Sequence, residues 1–416
     1  MTETLEKERI HLQEKLLEKL DYNRHLTDEE ILKNIEDTVL QHDSERYLSV
    51  TEKRQLKRDL FNTFRRLDIL SELLEDDEIS EIMINGVNHI FIERKGVISE
   101  TRDTFSNEER LRNVIQQIVS SCNRMVNETN PIVDARLEDG SRINIVLPPI
   151  SLEGPIMTIR RFPKEFFTMS RLIQMGSITK EAADFLELLV KARYNIFISG
   201  GTGSGKTTML NVLSNYIPAD ERVITIEDSA ELQIRNIPNL VRLETRNANV
   251  EGENAIGMSQ LIKTALRMRP DRIIIGEVRD AAAMDMTNSM LTGHDGSIST
   301  GHGNSAKEML LRLETMILMG YDMPVLAIRQ QLAAAIDVII HIGRLRDNSR
   351  RVLEICEVVG VLDGVVETRY LFQFQEYSER DGIVVGMLER KGELENKRKL
   401  LQFGWKGEKN EEDANV

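Results

Sequence analysis

The pattern of hydrophobic and polar positions changes along the chain and first predicts helices. Up to residue 73, leucines and isoleucines recur at helical spacing in a highly charged background, which indicates three short amphipathic helices. Thr27 and Glu30 form a capping-box pattern ahead of Ile35 and Val39. We predict a helical bundle over residues 1–73, mobile relative to the rest of the chain. The alternative is a solvated charged arm with helical propensity.

The next segment, residues 74–165, carries short strand patterns around one helix. The Asn-Gly pair at 85–86 separates two apolar runs and predicts a hairpin, and residues 138–140 give a second turn signal. Ser106 and Glu109 are spaced as a helix cap. The pattern therefore predicts a small α+β domain.

From residue 177, helical stretches alternate with short β-branched runs. The runs are Asn195–Ser199, Val223–Ile226 and Arg272–Ile275. This alternation is typical of a parallel sheet with crossover helices, so we predict an α/β domain over 177–392. A linker is expected over 166–176, and residues 393–416 have the composition of a charged tail.

The strongest chemical signal is a glycine-rich run between a predicted strand and a predicted helix. It reads Gly200-Gly201-Thr202-Gly203-Ser204-Gly205-Lys206-Thr207 and fits the phosphate-loop pattern G-x-x-x-x-G-K-[ST]. Backbone N–H groups of such a loop hold phosphates, and the helix N-terminus adds a positive dipole end. We expect Lys206 to reach the β- and γ-phosphates, Thr207 to bind Mg²⁺, and Thr208 to donate to the α-phosphate. A flexible glycine turn is the alternative, and the flanking strand and helix disfavour it.

The nucleotide is expected to be ATP. A GTPase normally reads guanine through N-K-x-D, whereas the chain's single Asn-Lys pair, Asn396-Lys397, is followed by Arg-Lys.

Acidic residues follow two of the predicted strands. Glu277 comes just after an apolar run and is placed to orient or polarise the attacking water; its alternative is a helix-start acid. The preceding residue, where an aspartate often holds Mg²⁺, is Gly276. Glu227, Asp228 and Glu231 are therefore expected to assist, with Glu227 a second Mg²⁺ ligand, although turn residues are the alternative.

Two histidines, His294 and His302, lie in a run of small residues that lets the backbone approach a ligand. The alternative for each is a hydrogen-bonded structural histidine.

Composition narrows the class of protein. Of 416 residues, 41% are hydrophobic and 29% charged, which suits two or three soluble domains. A net charge of −14 argues against broad, non-specific duplex binding. The two cysteines form no disulfide framework, and histidine spacing predicts no zinc site. With neither a signal-peptide pattern nor an apolar membrane span, we expect a cytoplasmic protein.

Four ordered segments resemble the secretion-superfamily ATPases, which power type II and type IV secretion systems and type IV pili. They are Gly200–Thr208, Ile224–Glu231, Leu266–Arg279 and Thr292–His302, corresponding to that family's Walker A loop, Asp box, atypical Walker B and His box. The upstream runs Asp134–Asn144 and Thr158–Phe162 look like the CpaF (TadA) branch, the tight-adherence pilus motor. Absence of a tetracysteine zinc insert also favours that branch. The resemblance covers about residues 70 to 370.

The resemblance implies a RecA-like P-loop NTPase domain, a smaller α+β (PAS-like) N-terminal domain and a helical extension. It also implies a homohexameric ring, with Mg²⁺ and with ATP between the two domains. Arginines outside the phosphate loop would contact phosphates, some of them across a subunit boundary. The candidates are Arg142, Arg160 and Arg161, then Arg246 and Arg269. His302 would sense the γ-phosphate, supported by His294.

Three functions are consistent with these expectations. The first is a motor ATPase in which hydrolysis at Glu277 drives pilus assembly or retraction through inner-membrane platform proteins, its only membrane contacts. The second is a hexameric ATPase acting on nucleic acid, against which the acidic charge weighs. The third is a nucleotide-gated scaffold without turnover, against which the presence of Glu277 argues.

Overall fold

The computed structural model describes residues 11–12, 15–16, 28–45, 48–65, 67, 69–94, 96–122, 124–137, 139–161, 167–246 and 254–405. The chain divides into two compact units, Met1–Lys164 and Glu165–Val416. No helix in these described ranges is long and apolar enough to cross a membrane.

The first unit begins with helices. Its helices are α1 (Asp28–Glu45), α2 (Val50–Arg65), α3 (Ile69–Glu75) and α4 (Glu108–Ser121). Apolar residues at helical spacing form a small separate core of Leu12, Leu16, Ile35, Val39, Leu48, Leu56 and Leu60. The predicted cap residue Thr27 lies outside the described residues.

A six-stranded antiparallel sheet completes the first unit. Its strands are β1 (Ile79–Asn85), β2 (His89–Arg94), β3 (Val97–Glu100), β4 (Ile132–Arg136), β5 (Arg142–Val146) and β6 (Ile156–Arg160), in the order β3-β2-β1-β6-β5-β4. The Asn-Gly hairpin is confirmed, since Asn85 pairs with His89. Helix α4 contributes its apolar face to the core shared with the sheet. Its cap is Asn107, whose side chain accepts from the N–H of Arg110, and not the predicted Ser106.

The second unit is an α/β domain. Its strands are β7 (Ile196–Gly200), β8 (Val223–Glu227), β9 (Leu240–Glu244), β10 (Arg272–Ile275), β11 (Ile298–Gly301), β12 (Val338–Arg344), β13 (Arg350–Leu362), β14 (Val365–Arg380) and β15 (Ile383–Arg390). Its helices are α5 (Met169–Gln174), α6 (Lys180–Lys191), α7 (Lys206–Ser214), α8 (Met258–Ala265), α9 (Ala282–Leu291), α10 (Ala306–Leu318), α11 (Val325–Ala335) and α12 (Arg398–Phe403).

The nine strands form one sheet in the order β15-β14-β13-β12-β7-β11-β10-β8-β9. The six neighbouring strands β12, β7, β11, β10, β8 and β9 are parallel to one another. Strands β12, β13, β14 and β15 form an antiparallel meander. The central strands are buried because large cores cover both faces of the sheet, although β11 is formed by Ile298, Ser299, Thr300 and Gly301. The predicted α/β class is confirmed by this topology.

A buried ion pair lies at the amino ends of the parallel strands. Arg272 is fully buried and donates to both carboxylate oxygens of Glu221, at 2.5 and 2.9 Å. The same guanidinium donates to the carbonyl of Val190 at 2.7 Å. A side chain at Gly296 would collide with it. These contacts compensate the cost of taking the charge out of water.

Two segments pack more closely than the sequence suggested. In the expected linker, Thr168 caps α5, and Met169 and Leu172 are buried. In the expected tail, Leu394 and Leu400 enter the core, so residues 393–405 belong to the second unit. The sequence concealed this because few apolar residues, Leu394, Leu400 and the partly buried Trp405, anchor an otherwise charged stretch. Residues 406–416 lie outside the described part.

Candidate active site

The glycine-rich run forms the turn between β7 and α7. Strand β7 ends at Gly200 and α7 begins at Lys206, as the phosphate-loop pattern requires. Gly203 and Gly205 have φ of 69° and 102°, in the left-handed region that favours glycine. The turn lies at the carboxyl ends of parallel strands, where ligands bind in open α/β sheets.

The loop is shaped for close backbone approach. A Cβ on Gly200 would lie 2.5 Å from Oγ of Ser204 and would collide with the carbonyl oxygen of Ile342, whereas Gly201 and Gly203 face open space. Ser204 Oγ is buried and has no hydrogen-bond partner within the described ranges. Thr202 is exposed, and Thr207 and Thr208 are half-buried in the first turn of α7. This arrangement fits a cradle for phosphate oxygens.

The lysine of the loop is folded back onto the loop itself. Lys206 Nζ donates to the carbonyls of Gly200 and Gly201, at 3.1 and 3.0 Å. It also lies 3.4 Å from Nδ1 of His302. These acceptors satisfy an ammonium group that a phosphate would attract strongly.

The carboxylate of Glu277 is linked to this lysine through the ring of His302. Nε2 of His302 is 2.9 Å from Oε1 of Glu277, and Arg279 donates to Oε2 at 3.0 Å. Arg279 also lies 3.8 Å from a carboxylate oxygen of Asp228. Strand pairing produces this cluster, because β11 lies between β7 and β10 in the sheet.

The charges around Glu277 keep it ionised. Burial opposes the charged form, but the hydrogen bond and charge of Arg279, with the charges of His302 and Lys206, outweigh it and lower the pKa of Glu277. Burial and the charge of Lys206 lower the pKa of His302. The ring of His302 thus lies between the two groups, with Nδ1 towards the ammonium of Lys206 and Nε2 towards Oε1 of Glu277.

Glu227 differs from the prediction. Its Oε2 accepts from the backbone N–H groups of Glu231 and Leu232, at 2.7 and 2.8 Å, so it braces the turn after β8. Its Oε1 is shielded from solvent, without a partner in the described part of the chain. Burial, opposed by those two hydrogen bonds, raises the pKa of Glu227 to about 7. Glu227 is therefore not presented as a Mg²⁺ ligand here.

The environment of Glu227 also explains the glycine at the end of the neighbouring strand. A Cβ on Gly276 would lie 3.0 Å from Cγ of Glu227, so the Glu227 side chain fills the space of the usual aspartate. No three His, Cys, Asp or Glu side chains within the described ranges are grouped as a metal site. Mg²⁺ in nucleotide sites often needs only one or two protein ligands besides phosphates and waters, and Thr207 fits that role.

Two predicted residues do not lie beside the phosphate loop. His294 and Arg269 precede the amino ends of β11 and β10, whereas the loop follows the carboxyl end of β7. Parallel pairing therefore places both at the opposite edge of the sheet. His294 Nδ1 contacts Thr292 and the carbonyl of Ser289, at 3.3 Å each, which is a structural role. Arg246 follows β9 and donates to the carbonyl of Asn254.

The arginines of the first unit separate onto two faces of its sheet. Arg136, Arg142 and Arg160 are directly opposite one another on β4, β5 and β6, and so share a face. Arg161 is buried instead and donates to the carbonyls of Asp76 and Ile79. This corrects the prediction for Arg161, whose side chain is used in packing.

A cleft of about 780 Å³ adjoins the phosphate loop. Gly201, Thr202, Arg279 and His302 line it beside the loop. Polar and apolar residues of α10, among them Leu311 and Arg312, line the rest. Sequence reasoning missed Arg279 as a site residue, although it follows Glu277 by two positions.

A family model named Type II/IV secretion system protein matches residues 65–380, and the chain belongs to this family. Over 293 residues it is 34% identical to a putative conjugal transfer protein of Mycobacterium tuberculosis, covering 69% of this chain and 83% of that protein. It is 32% identical over 303 residues to the type IV secretion system protein VirB11 of Brucella suis, covering 66% and 84%.

A solved structure shares the fold. The ATPase DotB of Legionella pneumophila superposes with a TM-score of 0.50 at 22% identity, over 69% of this chain and 79% of DotB. The likeness shows that this chain and DotB share a fold.

The close approach at Gly200 gives a first prediction. We expect Gly200→Ala to lower the free energy of unfolding by about 1–3 kcal/mol, because the methyl group meets Ile342 and Ser204 in a packed region. Gly201→Ala is the matched control, since its Cβ meets nothing within 4 Å. Urea unfolding of both variants without nucleotide measures the difference; equal stabilities would contradict the tight packing around Gly200.

The raised pKa of Glu227 gives a second prediction. The folded state binds the proton of the Glu227 carboxyl group more tightly than the unfolded state does. The stabilisation that protonation of Glu227 gives is therefore complete below about pH 4.5 and is lost as the pH rises through about 7. The loss is roughly 3 kcal/mol. Glu227→Gln should therefore gain stability relative to the parent between pH 5 and pH 8.

Urea unfolding across that pH range, without nucleotide, tests this expectation. Glu244→Gln on the neighbouring strand is the control, because Glu244 is exposed. If the free energies of unfolding of Glu227→Gln and the parent differed by the same amount at all pH values, folding would not raise the pKa of Glu227.

Proposed function

We propose that this chain is a homohexameric, Mg²⁺-dependent motor ATPase of the CpaF (TadA) type. It would act in the cytoplasm and power a tight-adherence or related type IV pilus, or a secretion machine. The observation that carries the proposal is the contact series from Lys206 through His302 to Glu277 at the phosphate loop.

The site residues suit ATP hydrolysis. The loop N–H groups and the start of α7 would hold the phosphates, and Lys206 would exchange loop carbonyls for phosphate oxygens. Mg²⁺, when bound, would neutralise phosphate charge, with Thr207 as its protein ligand. Glu277 is ionised and acceptor-only, so it can orient a water towards the γ-phosphate. His302 lies where it would respond to a change at Lys206.

Arginines of a neighbouring subunit would complete the site. Phosphoryl transfer needs cationic groups on the γ-phosphate oxygens beyond the lysine and metal. The row Arg136, Arg142 and Arg160 places three guanidinium groups on one sheet face, with Glu81 opposite Arg160 at its end, and three such groups suit a polyphosphate. Of the sequence candidates, we retain Arg142 and Arg160 for this role.

Force would reach the membrane through platform proteins, since the described helices offer no membrane span. Nucleotide-dependent closure between subunits would be transmitted to such partners.

The second candidate is a hexameric ATPase in nucleic-acid transfer. It is favoured by the relative named a putative conjugal transfer protein, whereas the net charge of −14 disfavours direct DNA binding. DNA-stimulated hydrolysis that falls steeply with salt would favour this candidate over the pilus motor.

Glu277→Gln tests the enzymatic proposal. The amide keeps the size of the side chain but loses the charge that orients water, so we expect hydrolysis to fall at least ~100-fold. Binding of ATP should change less than about fivefold, because the loop is intact. Steady-state phosphate release and equilibrium binding of a fluorescent ATP analogue measure the two effects.

The exposed carboxylate of Glu367 on β14 provides the control variant, Glu367→Gln. It should hydrolyse ATP like the parent. Hydrolysis by Glu277→Gln at the rate of the control would remove Glu277 from the mechanism.

A further inference from the structure

The hairpin between β12 and β13 lies beside the phosphate loop. Strand β12 pairs with β7 up to the last residue of that strand, where Ile342 is opposite Gly200. Strand β13 then begins at Arg350. The turn between them is fixed by Asp347, whose carboxylate accepts from Ser349 and from the N–H of Val384. The hairpin is therefore a defined support next to the loop.

Arg350 contacts the loop from this hairpin. Its Nε donates to the carbonyl oxygen of Gly203 at 2.7 Å. Its Cδ lies 3.8 Å from the position that a Cβ on Gly205 would occupy. The contact thus fixes the middle of the loop, where the backbone has the freedom of several glycines.

The bond to Gly203 determines the direction of the next N–H group. In a planar trans peptide, the carbonyl of Gly203 and the N–H of Ser204 point in opposite directions. When Arg350 holds the carbonyl, the N–H of Ser204 is turned away from Arg350. The N–H of Ser204 donates to the carbonyl oxygen of Gly201 at 3.4 Å, which is a long hydrogen bond. A phosphate oxygen would replace this weak acceptor, as backbone donors of such loops bind phosphates.

The neighbouring arginines of the hairpin have different partners. Arg346 is paired with Glu376 and Glu379. Arg351 donates to the carbonyl of Gly176 and lies over the ring of Phe374. Across the described ranges, no carboxylate lies within ion-pair distance of Arg350, so its positive charge is not neutralised by a direct partner there.

We infer that Arg350 is a positioning residue of the nucleotide site, supplied by the same subunit. It orients the Gly203–Ser204 peptide for phosphate binding and adds positive charge beside the loop. The inference rests on the proposed nucleotide binding at this loop. Arg350 and the loop belong to the same chain, whereas the arginine row of the first unit would act from a neighbouring subunit. Arg350 therefore acts in nucleotide binding even where subunits are separate.

Arg350→Ala and Arg350→Lys test the inference, with Arg346→Gln as the matched control on the same hairpin. For Arg350→Ala we expect the dissociation constant of a fluorescent ADP and the KM for ATP to rise about five- to tenfold, as for one lost charge-assisted hydrogen bond. The kcat should stay within about twofold, because the contact is made in ground and transition states alike. Arg350→Lys retains the charge and should recover at least half of the lost binding free energy.

Thermal unfolding without nucleotide separates positioning from folding. We expect Arg350→Ala and the control to unfold within about 2 °C of the parent, since Arg350 is exposed. Nucleotide affinity of Arg350→Ala within about twofold of the parent, or no rescue by Arg350→Lys, would overturn the inference. A parent chain that binds no nucleotide would instead refute the proposed function, and the inference with it.

Discussion

Parallel pairing of β7 with β11 and β12 is the constraint on which the site depends. It aligns the carboxyl ends of the strands, so the phosphate loop after β7 meets His302 after β11, while Glu277 follows the adjacent β10. The same pairing presses Ile342 of β12 against Gly200. Because each strand is buried on both faces, a shift of one strand would cost core packing as well as the site. Stability and chemistry therefore share these contacts.

The phosphate loop was predictable because its signal is local. Eight consecutive residues combine the required glycines, the lysine and the hydroxyl, between a strand and a helix. The contact of Glu277 with His302 was not predictable from spacing, since it depends on β11 lying between β7 and β10. Strand β11 has four residues in a run of Gly, Ser and Thr, and its sequence resembles a loop more than a strand. The role of Glu227 was hidden for a similar reason, because its side chain occupies space left by Gly276, the residue that follows β10.

The arginines show how far a family resemblance extends. The resemblance named Arg160 and Arg161 together, yet adjacent side chains along a strand point to opposite faces. Arg161 donates to backbone carbonyls of the first unit and is therefore not available to a phosphate. The resemblance also gave no indication of Arg350, whose proximity to Gly203 arises from a hairpin about 150 residues later in the chain. Tertiary contacts of this kind decide which cations near a phosphate site remain available for it.

We propose that the nucleotide site of one chain is completed by a neighbouring chain. Steady-state ATP hydrolysis per subunit, measured against protein concentration with the mass determined in parallel, tests it most directly. The account predicts that activity per subunit rises as hexamers form with ATP and Mg²⁺. Equal activity per subunit in monomers and hexamers would contradict the contribution of neighbouring arginines and the ring motor, leaving only the nucleotide site within each chain.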